Sequence, residues 1–488
     1  MKGRAKRAGG VLALLGAALV APATAHTSPP AAAQEAADVW NSSGQRWGYD
    51  QRVAAGTSLQ QLGNVIGNDW MRSQGYTGKG VGIALIDTGV TKVAGLNGGN
   101  VVYGPDLSFE SQDPSTRYVD NYGHGTHLAG IMVGNDPSTG FQGIAPDAKL
   151  TSVKVAAGDG SVDVVQVMAA IDWVIQHKND DPAHPIRVIN LAYGTDGTQD
   201  YRSNPLAFAV EQAWKAGIVV VVAGGNDGSS KPNLVNPAFD PYVISVGAVD
   251  DKGTQPIQDD TLTDFSSQGN SNRRVDISAP GRSVISLRDP GSYIDVNYPS
   301  ARIGTTQFKG SGTSQTSAVV SASIADLLQA RPSLTPDQVK ALVKLATWKM
   351  NGQTAAAGVG ELVIAWAVTD ALPASTTQSF TPSSGVGTLE SARGSSHVTL
   401  NGVALTGEKD IFGNAFSTAN WARASAAHTA WQGGTWMGVA WAGDGWSTTG
   451  GVTSWSGRAW SGRAWSGSAW QGRAWSDANW NGSQWATG

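Results

Sequence analysis

VGIALIDTGV, residues 81–90, opens with an unbroken apolar run that carries no polar alternation. A run this short, bounded by a turn, fits a strand buried on both faces of a parallel sheet. It stops at Asp87-Thr88-Gly89, which sets a carboxylate at the strand's carboxyl end. Working outward, VINL (188–191), IVVVVA (218–223) and VISVGAV (243–249) repeat the pattern, each bounded by glycine or polar turns. Residues 163–177, 205–216, 315–330 and 335–346 read as helices between and after them. The last follows Thr335-Pro336, an N-cap residue and a first-turn proline. Strands alternating with helices from about residue 60 to 370 predict an α/β doubly wound domain with a mainly parallel sheet.

The chain has 488 residues, enough for roughly two to four domain-sized pieces. It contains no cysteine, which excludes a disulfide scaffold, a cysteine nucleophile, thiolate zinc and iron–sulfur clusters. A net charge of −4 speaks against nucleic-acid binding across the chain. Residues 1–25 read as a signal peptide: Lys2, Arg4, Lys6 and Arg7 precede the apolar run Val11 to Val20, and Ala23-Thr24-Ala25 is a small-x-small cleavage site. That run is shorter than the roughly 20 residues a membrane span needs. The expectation is therefore a secreted or cell-surface protein, monomeric and without a span in the mature chain. Residues 26–58 read as a linker or short propeptide, followed by a catalytic-size domain over 59–370.

Beyond it, 371–395 is rich in Ser, Thr, Pro and Gly and reads as a linker. Residues 396–412 alternate apolar and polar side chains around Asn401-Gly402, a hairpin signal. From 413 to 488 a tail carries tryptophan at a five-residue step, as in Trp431, Trp436, Trp441 and Trp446, mostly as Trp-x-Gly-x-x. That step puts successive rings on opposite faces of one strand and about 140° apart on a helix, so neither element gives a single aromatic face. Two readings of the tail stand side by side. Exposed indoles stack on sugars, which would tether the protein to a cell-wall or extracellular polysaccharide; the blander reading is a repeat without a ligand.

Three short motifs carry chemistry. Asp87-Thr88-Gly89 ends a strand, where sites in such sheets gather. His124-Gly125-Thr126-His127 opens a helix after a polar loop, and Gly312-Thr313-Ser314 sits at another helix start, where backbone N–H groups face a developing oxyanion. Ala223-Gly224-Gly225-Asn226 adds an amide donor at a strand end. Each has a bland reading as a turn, a structural histidine or a loop. A single Asp-Thr-Gly cannot form the paired-carboxylate site of an aspartic protease. The set in the chain order Asp, His, Ser is what changes the reading.

GYTGKGVGIALIDTGV (75–90), NYGHGTHLAGI (121–131), GIAPDAKLTSVKV (143–155), VVVVAGGNDG (219–228), VISVGAVD (243–250), SAPG (278–281) and GTSQTSA (312–318) together resemble segments of the subtilisin-type serine proteases, in family order. The resemblance runs from about Gly63 to Ala367. It implies a three-layer α/β/α fold and endopeptidase action on polypeptides, with no cofactor in catalysis. Carried over, Ser314 is the nucleophile, His124 the general base and Asp87 its orienting carboxylate. Asn226 and the Ser314 N–H form the oxyanion hole, and His127 supports the site. Ala192-Tyr193-Gly194 and Gly160-Ser161 resemble strands that pair with an extended substrate, while Gly224 and Gly225 imply a roomy first pocket. A structural calcium has one candidate loop, with Asp106, Asp113 and Asp120, against the reading of plain acidic surface residues. The chain departs from the family at Gln315-Thr316-Ser317-Ala318, where a Met and a Pro are usual, at Ala192, where a Ser is usual, and in a 26–58 stretch short for an inhibitory prodomain. The alternative function is a disabled scaffold that binds polysaccharide through its tail.

Overall fold

The computed structural model describes residues 56–440 except 112–113, 230, 232 and 401–402. The expected signal peptide, most of the 26–58 stretch, Asp113 and the tail from Trp441 onward lie outside the described residues.

The short β-branched runs become strands because they are apolar on both faces and end in glycine or polar turns. The strands are β1 (Gly82–Asp87), β2 (Val101–Asp106), β3 (Lys149–Lys154), β4 (Ile186–Leu191) and β5 (Val219–Ala223). They continue as β6 (Ile244–Asp250), β7 (Thr261–Leu262), β8 (Ile277–Pro280), β9 (Thr347–Trp348) and β10 (Glu361–Leu362). They form one ten-stranded sheet in the order β9-β10-β8-β6-β5-β4-β1-β3-β2, with β7 pairing to β6. Pairing is parallel from β2 through to β10, and only β7 and β9 run antiparallel. β1 and β5 are buried along their whole length.

Helix α1 (His124–Val133) packs against the long helix α4 (Thr313–Ala330). α2 (Val164–His177) packs against α3 (Pro205–Lys215), and α5 (Pro336–Leu345) follows α4 in the chain. This is the three-layer α/β/α arrangement. Local chemistry sets the helix starts: Asp163 and Gln166 form a capping box on α2, Asn204 caps α3 ahead of Pro205, and Thr335 and Gln338 cap α5. The chain winds from β1 outward to β2 and back to β3, then crosses to β4 on the other side of β1. The carboxyl ends of β1 and β4 therefore flank the switch point, where such sheets hold their ligands.

Of the segment expected as a linker, 371–395, residues 371–382 are exposed or half-buried, and the part from Ser383 onward is packed instead. The Ser383 N–H donates to Glu211 at 2.7 Å, its hydroxyl donates to the Asn204 carbonyl at 3.0 Å, and Leu389, Ala392 and Arg393 are buried. Its polar composition reads as a linker because its partners are the cap and a buried carboxylate of α3, which composition does not reveal. Arg393 ends a short helix, α6 (Leu389–Arg393). The expected hairpin pairs Thr399–Leu400 with Val403–Ala404.

The first part of the tail is also folded. Helix α7 (Thr418–Ala426) precedes a meander of Trp431–Gln432, Thr435–Trp436 and Val439–Ala440. Trp421, Trp431 and Trp436 belong to the same hydrophobic core as β1 and β4. Trp421 and Trp436 both donate from Nε1 to Asp172 of α2, at 2.8 and 2.9 Å, and Trp431 donates to the Ala169 carbonyl at 2.8 Å. Phe208 of α3 meets the Trp421 ring edge-on at 5.5 Å. The five-residue step acquires a single face through a hairpin: Trp431 and Trp436 stand directly opposite across it, with Gly433 and Gly434 in the turn, both at positive φ.

Candidate active site

Asp87 is the last residue of β1 and His124 the first of α1. Asp87 Oδ1 lies 2.8 Å from His124 Nδ1, with both side chains buried. The Thr88 N–H also donates to Asp87 Oδ1, at 2.8 Å. An N–H on Nδ1 facing this carboxylate leaves Nε2 as the basic nitrogen. Burial pushes the Asp87 carboxyl up, and the neighbouring His124 pulls it back. The helix can come this close because residue 125 is glycine: a Cβ there would sit 2.1 Å from the Gly89 carbonyl oxygen. Asp120 fixes the helix start, accepting from the N–H groups of Gly123 and Thr126, both at 2.7 Å.

Ser314 is the second residue of α4, and its hydroxyl lies 3.4 Å from the Ala192 carbonyl. The start of α4 thus faces the segment that follows β4. Asn226, just past β5, accepts on Oδ1 from the Thr313 N–H at 2.9 Å and its hydroxyl at 3.0 Å. Its Nδ2 is buried and has no partner among the described residues. An amide held by its oxygen with its N–H₂ unspent is oriented to donate to a newcomer. Thr313 was invisible as an anchor in the sequence, although its place beside Ser314 in the Gly-Thr-Ser motif was the available signal. His127 faces away, with Nε2 at 3.1 Å from the Phe308 carbonyl; burial, with the charge of His124, pushes it down to about 3, so it stays neutral.

The substrate-binding candidates gather at the same sheet edge. Ala192, Tyr193 and Gly194 follow β4, Gly224 and Gly225 follow β5, and Gly160 and Ser161 precede α2. Val235 stands against Gly194 and Gly225. A Cβ on Gly194 would meet Val235 Cγ2 at 2.3 Å, and one on Gly225 would meet Val235 Cγ1 at 2.7 Å. Val235 takes the space that the glycines leave, and nothing in the local sequence marks it.

Of the candidate calcium loop, Asp106 and Asp120 lie among the described residues and Asp113 does not. Asp106 accepts from the Ser108 N–H and hydroxyl and the Tyr118 N–H, and Asp120 from Thr88, Gly123 and Thr126, so the carboxylates are spent on protein donors. Among the described residues no cluster of three or more His, Asp or Glu side chains is arranged to hold a metal.

The doubly wound sheet thus carries a buried Asp–His pair at one strand end and a serine at a helix start, in the chain order Asp, His, Ser. The subtilase family pattern matches residues 78–364. The chain belongs to that family. It is 40% identical over 285 residues to the serine protease AprX of Bacillus subtilis, covering 57% of this chain and 63% of that one. It is 34% identical over 269 residues to the minor extracellular protease Epr of B. subtilis, covering 54% of this chain and 35% of that one. Subtilisin DY of Bacillus licheniformis is 32% identical over 282 residues, covering 57% of this chain and 86% of the subtilisin. The match thus spans less than two thirds of AprX and about a third of Epr.

Proposed function

We propose that the protein is a serine endopeptidase acting through Asp87, His124 and Ser314. The observation that carries this reading is the buried Asp87–His124 pair at 2.8 Å. Asn226, anchored by Thr313, adds a ready donor. In this mechanism Ser314 Oγ attacks the peptide carbonyl carbon while His124 Nε2 takes its proton. Asp87 steadies the imidazolium, and the Asn226 amide and Ser314 N–H receive the oxyanion. His124 returns the proton to the leaving amine, and water, activated by the same imidazole, hydrolyses the acyl-serine. An extended peptide lies between the 160–161 and 192–194 segments, paired through its backbone, so side-chain pockets select the sequence. Val235, filling the first pocket, favours small to medium side chains there.

Export through the N-terminal signal peptide is part of the same reading. No described helix is long and apolar enough to cross a membrane. The disabled-scaffold alternative conflicts with the complete set Asp87, His124, Ser314 and Asn226. Polysaccharide tethering would rest on the tryptophans from Trp441 onward, because Trp421, Trp431 and Trp436 are buried.

The test is a fluorophosphonate probe on wild type beside Ser314→Ala. Labelling of the folded wild type alone is the expected result; equal labelling of both, or none of the wild type, removes the proposal.

A further inference from the structure

The two walls of the cleft are tied together from behind by consecutive residues of the C-terminal extension. Ala392 and Arg393 close helix α6, more than 190 residues beyond either wall's own neighbours in several of these contacts. The Ala392 carbonyl accepts from the Thr195 hydroxyl at 2.5 Å and from Asn236 Nδ2 at 3.1 Å. Thr195 directly follows the 192–194 wall, and Asn236 directly follows Val235. The two are also bridged by their backbones, at 3.0 and 2.9 Å. The extension approaches so closely that a Cβ on Gly197 would meet the Ser391 carbonyl oxygen at 2.5 Å.

Arg393 reaches the other wall. Its Nε donates to Asp163 Oδ2 at 2.6 Å and its Nη2 to Oδ1 at 3.3 Å, and both side chains are wholly buried. Asp163 follows the 160–161 wall and caps α2. Nη1 and Nη2 also donate to the carbonyls of Gly407 and Lys409, each at 2.6 Å. Tyr193 lies within reach of both charges: burial raises its phenol well above the ordinary value, with Asp163 adding and Arg393 opposing.

A buried ion pair seldom adds net stability over an apolar replacement, because desolvation offsets attraction. What it does give is fixed geometry, since the planar fork satisfies four acceptor atoms in only one placement. We propose that Arg393 and Thr195 are positioning residues of the substrate cleft: the extension, through Ala392 and Arg393, sets the spacing between the 160–161 and 192–194 walls. The proposal rests on the endopeptidase reading. It makes the extension a brace behind the two walls, apart from the reacting centre at the carboxyl ends of β1 and β5 and the starts of α1 and α4.

The experiment compares full-length wild type, Arg393→Lys and Thr195→Val on two substrates. One is a peptide anilide extending several residues before the scissile bond; the other is p-nitrophenyl acetate, which reaches only the reacting centre. Arg393→Lys keeps the charge and loses the fork; Thr195→Val removes one hydroxyl and keeps the ion pair, so it carries the test should the arginine variant not fold. Both variants are expected to lose about 10–10² in kcat/KM on the long peptide, chiefly through KM, because a wall displaced by about 1 Å costs that much. Ester hydrolysis should stay within about twofold, since interactions made only with the extended chain affect only the extended substrate. An equal fall on both substrates, or no fall on either with an active wild type, overturns the positioning role alone. A folded wild type that neither labels with fluorophosphonate nor cleaves peptide overturns the endopeptidase reading and the proposal with it.

Discussion

Asn226 shows how a single side chain is prepared before any substrate arrives. Its oxygen is occupied by Thr313, and its buried N–H₂ has no partner among the described residues. Asn226→Ala should lower kcat by about 10²–10³ with little change in KM, the cost found for this donor in subtilisin itself. Steady-state kinetics on a peptide anilide would show it, and a change confined to KM would contradict the assignment. Val235 decides a different property. Trimming it to alanine opens the space beside Gly194 and Gly225, so Val235→Ala should raise the preference for a large over a small residue before the scissile bond by about tenfold or more. Profiling with a peptide library checks this; an unchanged preference would mean that Val235 does not line the first pocket. Asp87, His124, Ser314 and Asn226 were legible as residues because each sits in a motif at an element end. Val235 was not, because its role comes from two glycines that meet it only in three dimensions.

Among elements, α2 is the one whose partner the sequence concealed. Its apolar pattern announces a helix, but the buried Asp172 on it makes sense only with α7 and the meander, which supply Trp421, Trp436 and Ser425 as donors. Burial pushes the Asp172 carboxyl up to about 6 despite these three donors. The sign of the pH effect follows. A folded-state value above the unfolded 3.8 favours the protonated form, so this group's contribution is complete below the unfolded value and is lost as pH rises through about 6. The stability of wild type relative to Asp172→Asn should therefore decline by roughly 3 kcal/mol between about pH 4 and 7 and be flat above. Urea unfolding of both proteins across that range is the measurement, and a constant difference would show that Asp172 does not titrate there. The tryptophan step was read on single strands or helices, where a period of five gives no face; the hairpin gives it one, and pairing between strands is not visible in a spacing.

At the scale of the whole molecule the folded subtilase domain does not end near residue 370. Leu389, Ala392, Ile411, Trp421, Trp431 and Trp436 share one core with the sheet and its helices. A chain ending at residue 412 would uncover the faces of α2 and α3 that the tryptophans close. Its unfolding free energy should fall by at least the about 3–5 kcal/mol that truncating one buried tryptophan costs. Comparing urea midpoints of the full and shortened chains tests this, and equal midpoints would show that the extension is bound without consequence.

Four inner strands of the parallel sheet (β1, β4, β5 and β6), the helices α1 to α5 and the order Asp87, His124, Ser314 were determined by the sequence alone, because they arise from local signals: apolar runs, caps, glycine turns and short motifs. Tertiary structure alone decided what stands against Gly194 and Gly225, where the folded unit stops and what Ala392 and Arg393 hold. Those outcomes depend on contacts between residues far apart in the chain, such as Arg393 with Asp163 and Trp421 with Asp172, which no periodicity encodes.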